Sequence, residues 1–280
     1  MKRAILSLFC CLFVVFLVGC SNGKSSSQND QWLRIKEEKK IVIGVDDTFV
    51  PMGFRDKSKK LVGFDIDLAR AVFKKYGITA EFKSIDWDMK EQELENQTID
   101  LIWNGYSKNK QREKAQLFSK TYMKNDQILV TKKESKITSF AQMKGQKLGT
   151  QRGSASFDVF MDQPKVLKQY IKGETVLYEN FNEAFLDLKA GRIDGLLIDN
   201  VYANYYLKQA GEIAKFNLTK GNFKSEDFAV GARKTDKQLV NNINKALDSL
   251  HKTGEFQKIS KKWFGEDVWP KNLLTCLGAK

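Results

Sequence analysis

The chain has 280 residues, with 47 Lys and Arg against 34 Asp and Glu, a formal net charge of +13, four cysteines and one histidine. Its length exceeds what one small core usually organises and suits two domains. A single histidine, His251, with no usable Cys pair leaves no zinc site of the common ligand types, and no cofactor is expected. The lysines are scattered, without a basic helix or an aromatic-interleaved motif, so the charge points to a solvated surface facing anionic lipid or wall polymer and not to nucleic acid.

The chain opens Met1-Lys2-Arg3, is apolar over residues 4–18 and reaches Gly19-Cys20. A cationic start, a short apolar run and a small residue before the cut site are the parts of an export signal. The run falls short of the ~20 apolar residues a bilayer-spanning helix needs. Leu17-Val18-Gly19-Cys20 resembles the bacterial lipobox, which implies a signal peptide over residues 1–19, a diacylglycerol-modified Cys20 thiol and membrane attachment through it. Residues 20–35 are then a lipidated flexible tether, because residues 21–30 offer nothing apolar to pack. Cys10 and Cys11 leave with the leader and Cys20 is consumed, so Cys276 has no disulfide partner. Losing Lys2 and Arg3 takes the charge from +13 to +11.

Beyond the tether, short apolar runs alternate with helical patterns: a strand over residues 41–45, a helix over 65–76, a strand over 80–83, a helix over 89–96 and a strand over 99–103. Such alternation predicts α/β layering. In the first helix Ile66, Ala69, Phe73 and Tyr76 form an apolar stripe widened by Leu68 and Val72, and Gly77 is placed to stop it. Asp88 with Glu91 three residues on predicts a capping box for the second.

An internal echo bears most on the architecture. Leu94-Glu-Asn-Gln-Thr-Ile99-Asp100-Leu101-Ile102 and Leu188-Lys-Ala-Gly-Arg-Ile193-Asp194-Gly195-Leu196 share one order: helix end, turn, then Ile-Asp opening an apolar strand. Extended, the register sets Gly105 opposite Asp199. Two such units predict two similar lobes whose equivalent loops face each other across a cleft, at the carboxyl ends of the strands, where open α/β sheets bind ligands. Residues 128–131 and 228–232 are the expected crossing strands.

The order Ile43-Gly-Val-Asp46, Phe49-Val-Pro51, Gly63-Phe-Asp-Ile-Asp-Leu68, Ile99-Asp-Leu-Ile102, Gly105-Tyr-Ser107 with Arg112, and Lys261-Lys-Trp-Phe-Gly265 resembles the family 3 extracellular solute-binding proteins, the polar amino-acid receptors of ABC importers. The resemblance covers about residues 40–265. It implies a two-lobe, type II periplasmic-binding-protein-like fold with two crossover hinge strands: lobe I over residues 36–130 and 228–280, the terminal helices returning to it, and lobe II over 131–227. It further implies a lipoprotein on the extracytoplasmic face of the cell membrane that passes a free amino acid to ABC permease and ATPase subunits.

Burying an amino acid requires partners for both of its charges. An arginine fork donates two parallel hydrogen bonds to a carboxylate, which Lys cannot reproduce. The resemblance gives that role to Arg112, with Ser107 and the amides of the loop holding Ser154 and Ala155, a small-residue helix start suited to anions. It gives the ammonium to the Asp199 carboxylate and the Gly105 carbonyl. Asp199 could instead cap the following helix. Phe49 and Trp87 fall where the family stacks rings on the ligand, Asp46 where its polar end is recognised, and Asp47, Lys90 and Glu91 are further candidates. Gln151-Arg152 departs from what that loop carries in glutamine receptors, so the resemblance does not select glutamine. The tail over residues 266–280, with Trp269-Pro270 and Cys276, runs past the family's usual ending. The alternatives on the same fold are a cyclohexadienyl-type dehydratase, which a dehydratase assay would reveal, and a ligand-sensing receptor for a separate membrane kinase.

Overall fold

The computed structural model describes residues 30–270; the leader, Cys20, the tether up to residue 29 and Cys276 lie outside the described residues. Two five-stranded sheets organise the chain. The first runs Thr79–Ser84, Lys40–Val45, Leu101–Ile102, Gly231–Arg233, Gln116–Phe118, and the second Val176–Tyr178, Leu148–Gln151, Gly195–Asp199, Gln127–Lys132, Phe216–Lys220. In both sheets the first three strands are parallel and the last two pair antiparallel. Helices cover their faces, so the central strands read as apolar runs and not as alternation: Gly195–Asp199 is buried throughout, and Ile43, Gly44 and Val45 are buried in succession.

Helix Phe64–Lys74 buries Ile66, Leu68, Ala69, Val72 and Phe73, the predicted stripe, with Asp65 and Asp67 in its first turn where the helix dipole favours acid. Its end is closed as Gly77 suggested. Gly77 has φ +67, and the Ile78 N–H returns to the Phe73 carbonyl at 3.1 Å. Helices Lys237–Lys252 and Glu255–Phe264 return to pack on this helix and each other through Leu239, Ile243, Leu247, Leu250 and Phe256. Trp269 stacks on His251 at 4.4 Å and meets Phe256 edge-on at 4.8 Å, which pins the residues just after the last helix.

Three expectations need correction. Residues 30–35 are not tether: helix Trp32–Glu38 buries Trp32 and Ile35, and Trp32 meets Tyr76 edge-on at 5.0 Å. Two apolar residues at helical spacing outweigh the surrounding charge, each burial stabilising by roughly 1.5–3 kcal/mol. Asp88 does not cap a helix. Asp86 accepts from the Asp88 N–H at 3.0 Å and opens a short 3-10 turn, Trp87–Met89, and helix Lys90–Glu95 follows with Met89 before it.

The crossing segments also differ from residues 128–131 and 228–232. Gln127–Lys132 lies wholly within the second sheet and Gly231–Arg233 within the first. The chain passes between them at Met123–Asn125 and Glu226–Phe228, which pair with each other, and Glu226–Phe228 also pairs with Ser107–Lys108 to complete a three-stranded sheet. These connectors are short and mostly polar, whereas residues 128–131 are mostly apolar because they are core. Strand Gln127–Lys132 thus belongs with lobe II, a few residues before the expected boundary.

Candidate functional site

The carboxyl ends of the two central strands meet. Asp46 follows Lys40–Val45, Gln151 ends Leu148–Gln151, and Gln151 Nε2 donates to Asp46 Oδ2 at 2.8 Å across the gap. Asp46 Oδ1 accepts from the Thr48 N–H at 3.0 Å and its hydroxyl at 2.7 Å. Burial raises the Asp46 pKa against these donors.

Arg112 is 7 % exposed, in helix Lys110–Ala115, whose start Asn109 caps by accepting from the Arg112 N–H at 2.8 Å. Its guanidinium lies 4.6 Å above the Tyr106 ring and donates to the Ser107 carbonyl at 2.9 Å within its own lobe. Across the gap it reaches the Gly153 carbonyl at 3.3 Å and Asp158 Oδ2 at 2.9 Å. Lys90 joins it, donating to the Trp87 carbonyl at 3.0 Å and to the same Gly153 carbonyl at 2.8 Å. Burial, with Arg112 beside it, lowers the Lys90 pKa to about 8. Ser154 caps helix Ala155–Asp162, its Oγ accepting from the Phe157 N–H at 3.2 Å. Among the described residues the N–H groups of Ala155 and Ser156 have no protein acceptor, as the first amides of a helix do not unless a ligand or water supplies one.

Asp199 ends strand Gly195–Asp199 and makes no side-chain cap to the helix after it, so the capping alternative falls. Its Oδ1 accepts instead from Asn125 Nδ2 at 2.7 Å and Gln127 Nε2 at 2.9 Å. Gln127 Nε2 also donates to Glu226 Oε2 at 2.9 Å, and Ser107 Oγ donates to that same oxygen at 2.8 Å. Burial first, then the neighbouring Glu226, raises Asp199 well above the usual carboxylate range; burial raises Glu226 as well.

Gly105 has φ +57, and a Cβ there would stand 3.0 Å from Phe49 Cε1, so both backbone and space call for glycine. Its N–H donates to Asp65 Oδ2 at 2.6 Å, an oxygen that Tyr122 OH also meets at 2.9 Å. Burial raises Asp65 to about 7 despite these donors. Phe49 lies 5.3 Å from the Tyr202 ring and 6.0 Å from Phe181, both of the second lobe. Trp87 meets Tyr106 edge-on at 5.9 Å and packs with Leu94, Ile99 and Ile102, one layer behind Arg112. Asp47 is engaged within its own lobe, by Arg55 Nε at 2.6 Å and Ser84 Oγ at 2.7 Å, and Glu91 accepts from Tyr106 OH at 3.0 Å.

The structure thus gathers Asp46, Phe49, Gly105, Ser107, Arg112, Ser154, Ala155 and Asp199 at one interlobe seam, with Trp87 behind them. Sequence reasoning missed Asn125, Gln127, Asp158 and Glu226. Glu226 sits in Lys224-Ser-Glu-Asp227, which reads as a solvated turn, and its partners are 99 and 119 positions away. A cavity of about 530 Å³ also adjoins the connectors, lined by Met123, Asn125, Asn204, Tyr205 and Trp263, and takes in none of the predicted residues.

The profile described as bacterial extracellular solute-binding proteins, family 3, matches residues 41–266. A solved Streptococcus pneumoniae ABC uptake transporter substrate-binding protein with bound histidine is 53 % identical, with a TM-score of 0.86, covering 87 % of this chain and 99 % of that one. The ABC transporter arginine-binding protein 1 of Escherichia coli is 32 % identical over 80 % of this chain and 90 % of its own length. The glutamine-binding protein GlnH of Bacillus subtilis is 31 % identical over 94 % and 96 %. On the match over residues 41–266 and these relatives, this chain belongs to the family 3 bacterial extracellular solute-binding proteins.

Proposed function

We propose that the seam is the binding site for a free polar amino acid, and that the protein delivers this amino acid to the permease and ATPase of an ABC importer. The observation that carries this reading is the placing of a buried arginine, Arg112, and a buried aspartate, Asp199, on opposite sides of one closing seam. Arg112, Ser107 and the helix-start amide of Ala155 take the α-carboxylate. Asp199 and the Gly105 carbonyl take the ammonium, and Phe49 covers the aliphatic part with Trp87 supporting the wall. Two lobes joined by the strands Met123–Asn125 and Glu226–Phe228 close on the ligand by hinge motion.

The side chain bound is a cationic or imidazole one. With Asp199 taken by the ammonium and Asp158 paired to Arg112, Asp46 remains a buried acid of the seam that a cationic side chain would compensate. The histidine-bound and arginine-binding relatives support the same class. Cys20, in its lipobox-like run, anchors the chain to the outer face of the membrane, observable as membrane retention of the intact chain. No helix among the described residues is long and apolar enough to cross a membrane.

A thermal-shift screen of the common amino acids with ornithine and cystine tests the reading, because a ligand of the native state alone raises the melting temperature with concentration. Histidine, arginine, lysine or ornithine should give the largest rise. A screen in which no amino acid moves the transition removes the proposal.

A further inference from the structure

The Asp199–Glu226 pair has an arrangement that a single ammonium ligand does not need. Asp199 Oδ1 and Glu226 Oε2 each lie 2.9 Å from one nitrogen, Gln127 Nε2. The orientation of that amide is fixed from behind, since buried Ser156 Oγ donates to Gln127 Oε1 at 2.5 Å and so turns the NH2 toward the acids. Asn125 and Ser107 add donors at 2.7 and 2.8 Å. Every neutral neighbour presents N–H or O–H to the acids, and the point on which both carboxylates converge holds a donor with two hydrogens, the Gln127 NH2. Glu226 is also the first residue of connector strand Glu226–Phe228, and Asn125 the last of Met123–Asn125, so both acids are tied to the hinge.

We infer that the substrate's ammonium is shared between Asp199 and Glu226, which makes Glu226 a specificity-determining contact seated on the hinge itself. This deepens the amino-acid reading above and rests on it. An ammonium has three N–H donors, enough for Asp199, Glu226 and the Gly105 carbonyl together. Two buried carboxylates facing one nitrogen cannot both ionise cheaply, so without a cation the pair retains a proton. Burial raises both Asp199 and Glu226, and at Asp199 the neighbouring Glu226 adds to the rise, in agreement with that. Arg112 is the charged group acting on both; Ser107, Asn125, Gln127 and Ser156, packed against them from the other elements, are neutral. When the ammonium arrives, the retained proton leaves to solvent and both acids ionise. Protonation therefore opposes binding: affinity falls as pH drops below the raised range in which the pair titrates and levels off above it.

Isothermal calorimetry of the wild-type protein with arginine and lysine, whose side chains do not titrate near pH 6, in two buffers of different ionisation enthalpy, counts protons without any mutation. Close to one proton should be released per amino acid near pH 6, and markedly less near about pH 8.5. Glu226→Gln should bind about 10- to 100-fold more weakly with little proton release. It should melt no lower than wild type without ligand, because a neutral amide replaces a buried acid. Wild-type binding with no proton released near pH 6, or Glu226→Gln binding at wild-type affinity, overturns the inference and leaves the amino-acid reading standing. Absence of any amino-acid binding by wild type sinks that reading instead.

Discussion

In the first lobe the Asp100 N–H donates to the Val42 carbonyl at 2.7 Å while Asp100 Oδ2 accepts from the Val42 N–H at 2.9 Å; in the second, Asp194 makes the same pair of bonds to Lys147 at 2.9 and 2.8 Å. One residue along each repeat, Ile99 packs over Gly44 and Ile193 over Gly149. The strand registers Gly44 with Ile102 and Gly149 with Leu196 match as well. The lobes diverge only after the central strand. The first inserts a small sheet, Thr48–Phe49, Gly53–Arg55 and Leu61–Val62, before helix Phe64–Lys74, whereas the second turns through Gly153-Ser154 straight into helix Ala155–Asp162. One frame therefore presents two surfaces: an aromatic wall with Arg112 from the first lobe, helix-start amides with Asp199 from the second. A ligand with a carboxylate at one end and an ammonium at the other suits such a divided site.

Breaking the division at Arg112 should have the largest effect. Arg112→Lys keeps a positive charge but loses the fork, and removing a partner from a desolvated pair costs roughly 2–5 kcal/mol, about 30-fold to several-thousand-fold in affinity. Calorimetry with the best ligand of the thermal screen measures it. The same affinity as wild type would show that the carboxylate is held from the second lobe alone.

The shared frame is tested next, by substitutions expected to act alike in both lobes. A Cβ at Gly44 would stand 2.6 Å from Ile99 Cδ1, and one at Gly149 would stand 2.6 Å from Ile193 Cδ1. Gly44→Ala and Gly149→Ala should each destabilise by about 1–3 kcal/mol through overpacking. Ile99→Val and Ile193→Val delete the offending methyl and should each recover part of the loss in urea unfolding. If one alanine is tolerated and the other is not, the two sites are not equivalent.

What the sequence made legible followed from local pattern. Periodicity gave the stripe of helix Phe64–Lys74, and Ile-Asp repeated at residues 99 and 193 gave the two-lobe plan, because a strand start and the glycine it covers are short-range devices used twice. The connectors were misplaced because Met123–Asn125 and Glu226–Phe228 lack a core of their own and imprint no apolar run. Trp32 and Ile35 were lost among charges, since two burial positions in a short helix make a weak period. Asp158, Gln127 and Glu226 could not be found from neighbours in sequence, because what makes them polar contacts of the seam is the meeting of lobes far apart along the chain.

The smallest expected effect concerns the one bond that joins equivalent positions of the two lobes. Asp46 and Gln151 each follow or end the central strand of their lobe, yet one is an acid and the other an amide, which lets Gln151 Nε2 donate to Asp46 Oδ2 at 2.8 Å. Gln151 Nε2 also donates to the Glu179 carbonyl at 2.9 Å, within its own lobe, so the amide cannot turn over without losing that bond. Asp46→Asn preserves shape and can keep Oδ1 facing the Thr48 donors, but then sets an NH2 against the Gln151 NH2. In the ligand-free protein only the interlobe bond is lost, worth about 0.5–1.5 kcal/mol or somewhat more for a charged acceptor. The variant should fold with wild-type stability, bind its amino acid about 3- to 20-fold more weakly, and show a larger radius of gyration by small-angle scattering before ligand is added, with the wild-type value regained at saturation. An unchanged ligand-free profile together with weakened binding would place the role of Asp46 in contact with the ligand and not in closure, and the one asymmetric pair at the heart of a repeated frame would then be a matter of recognition alone.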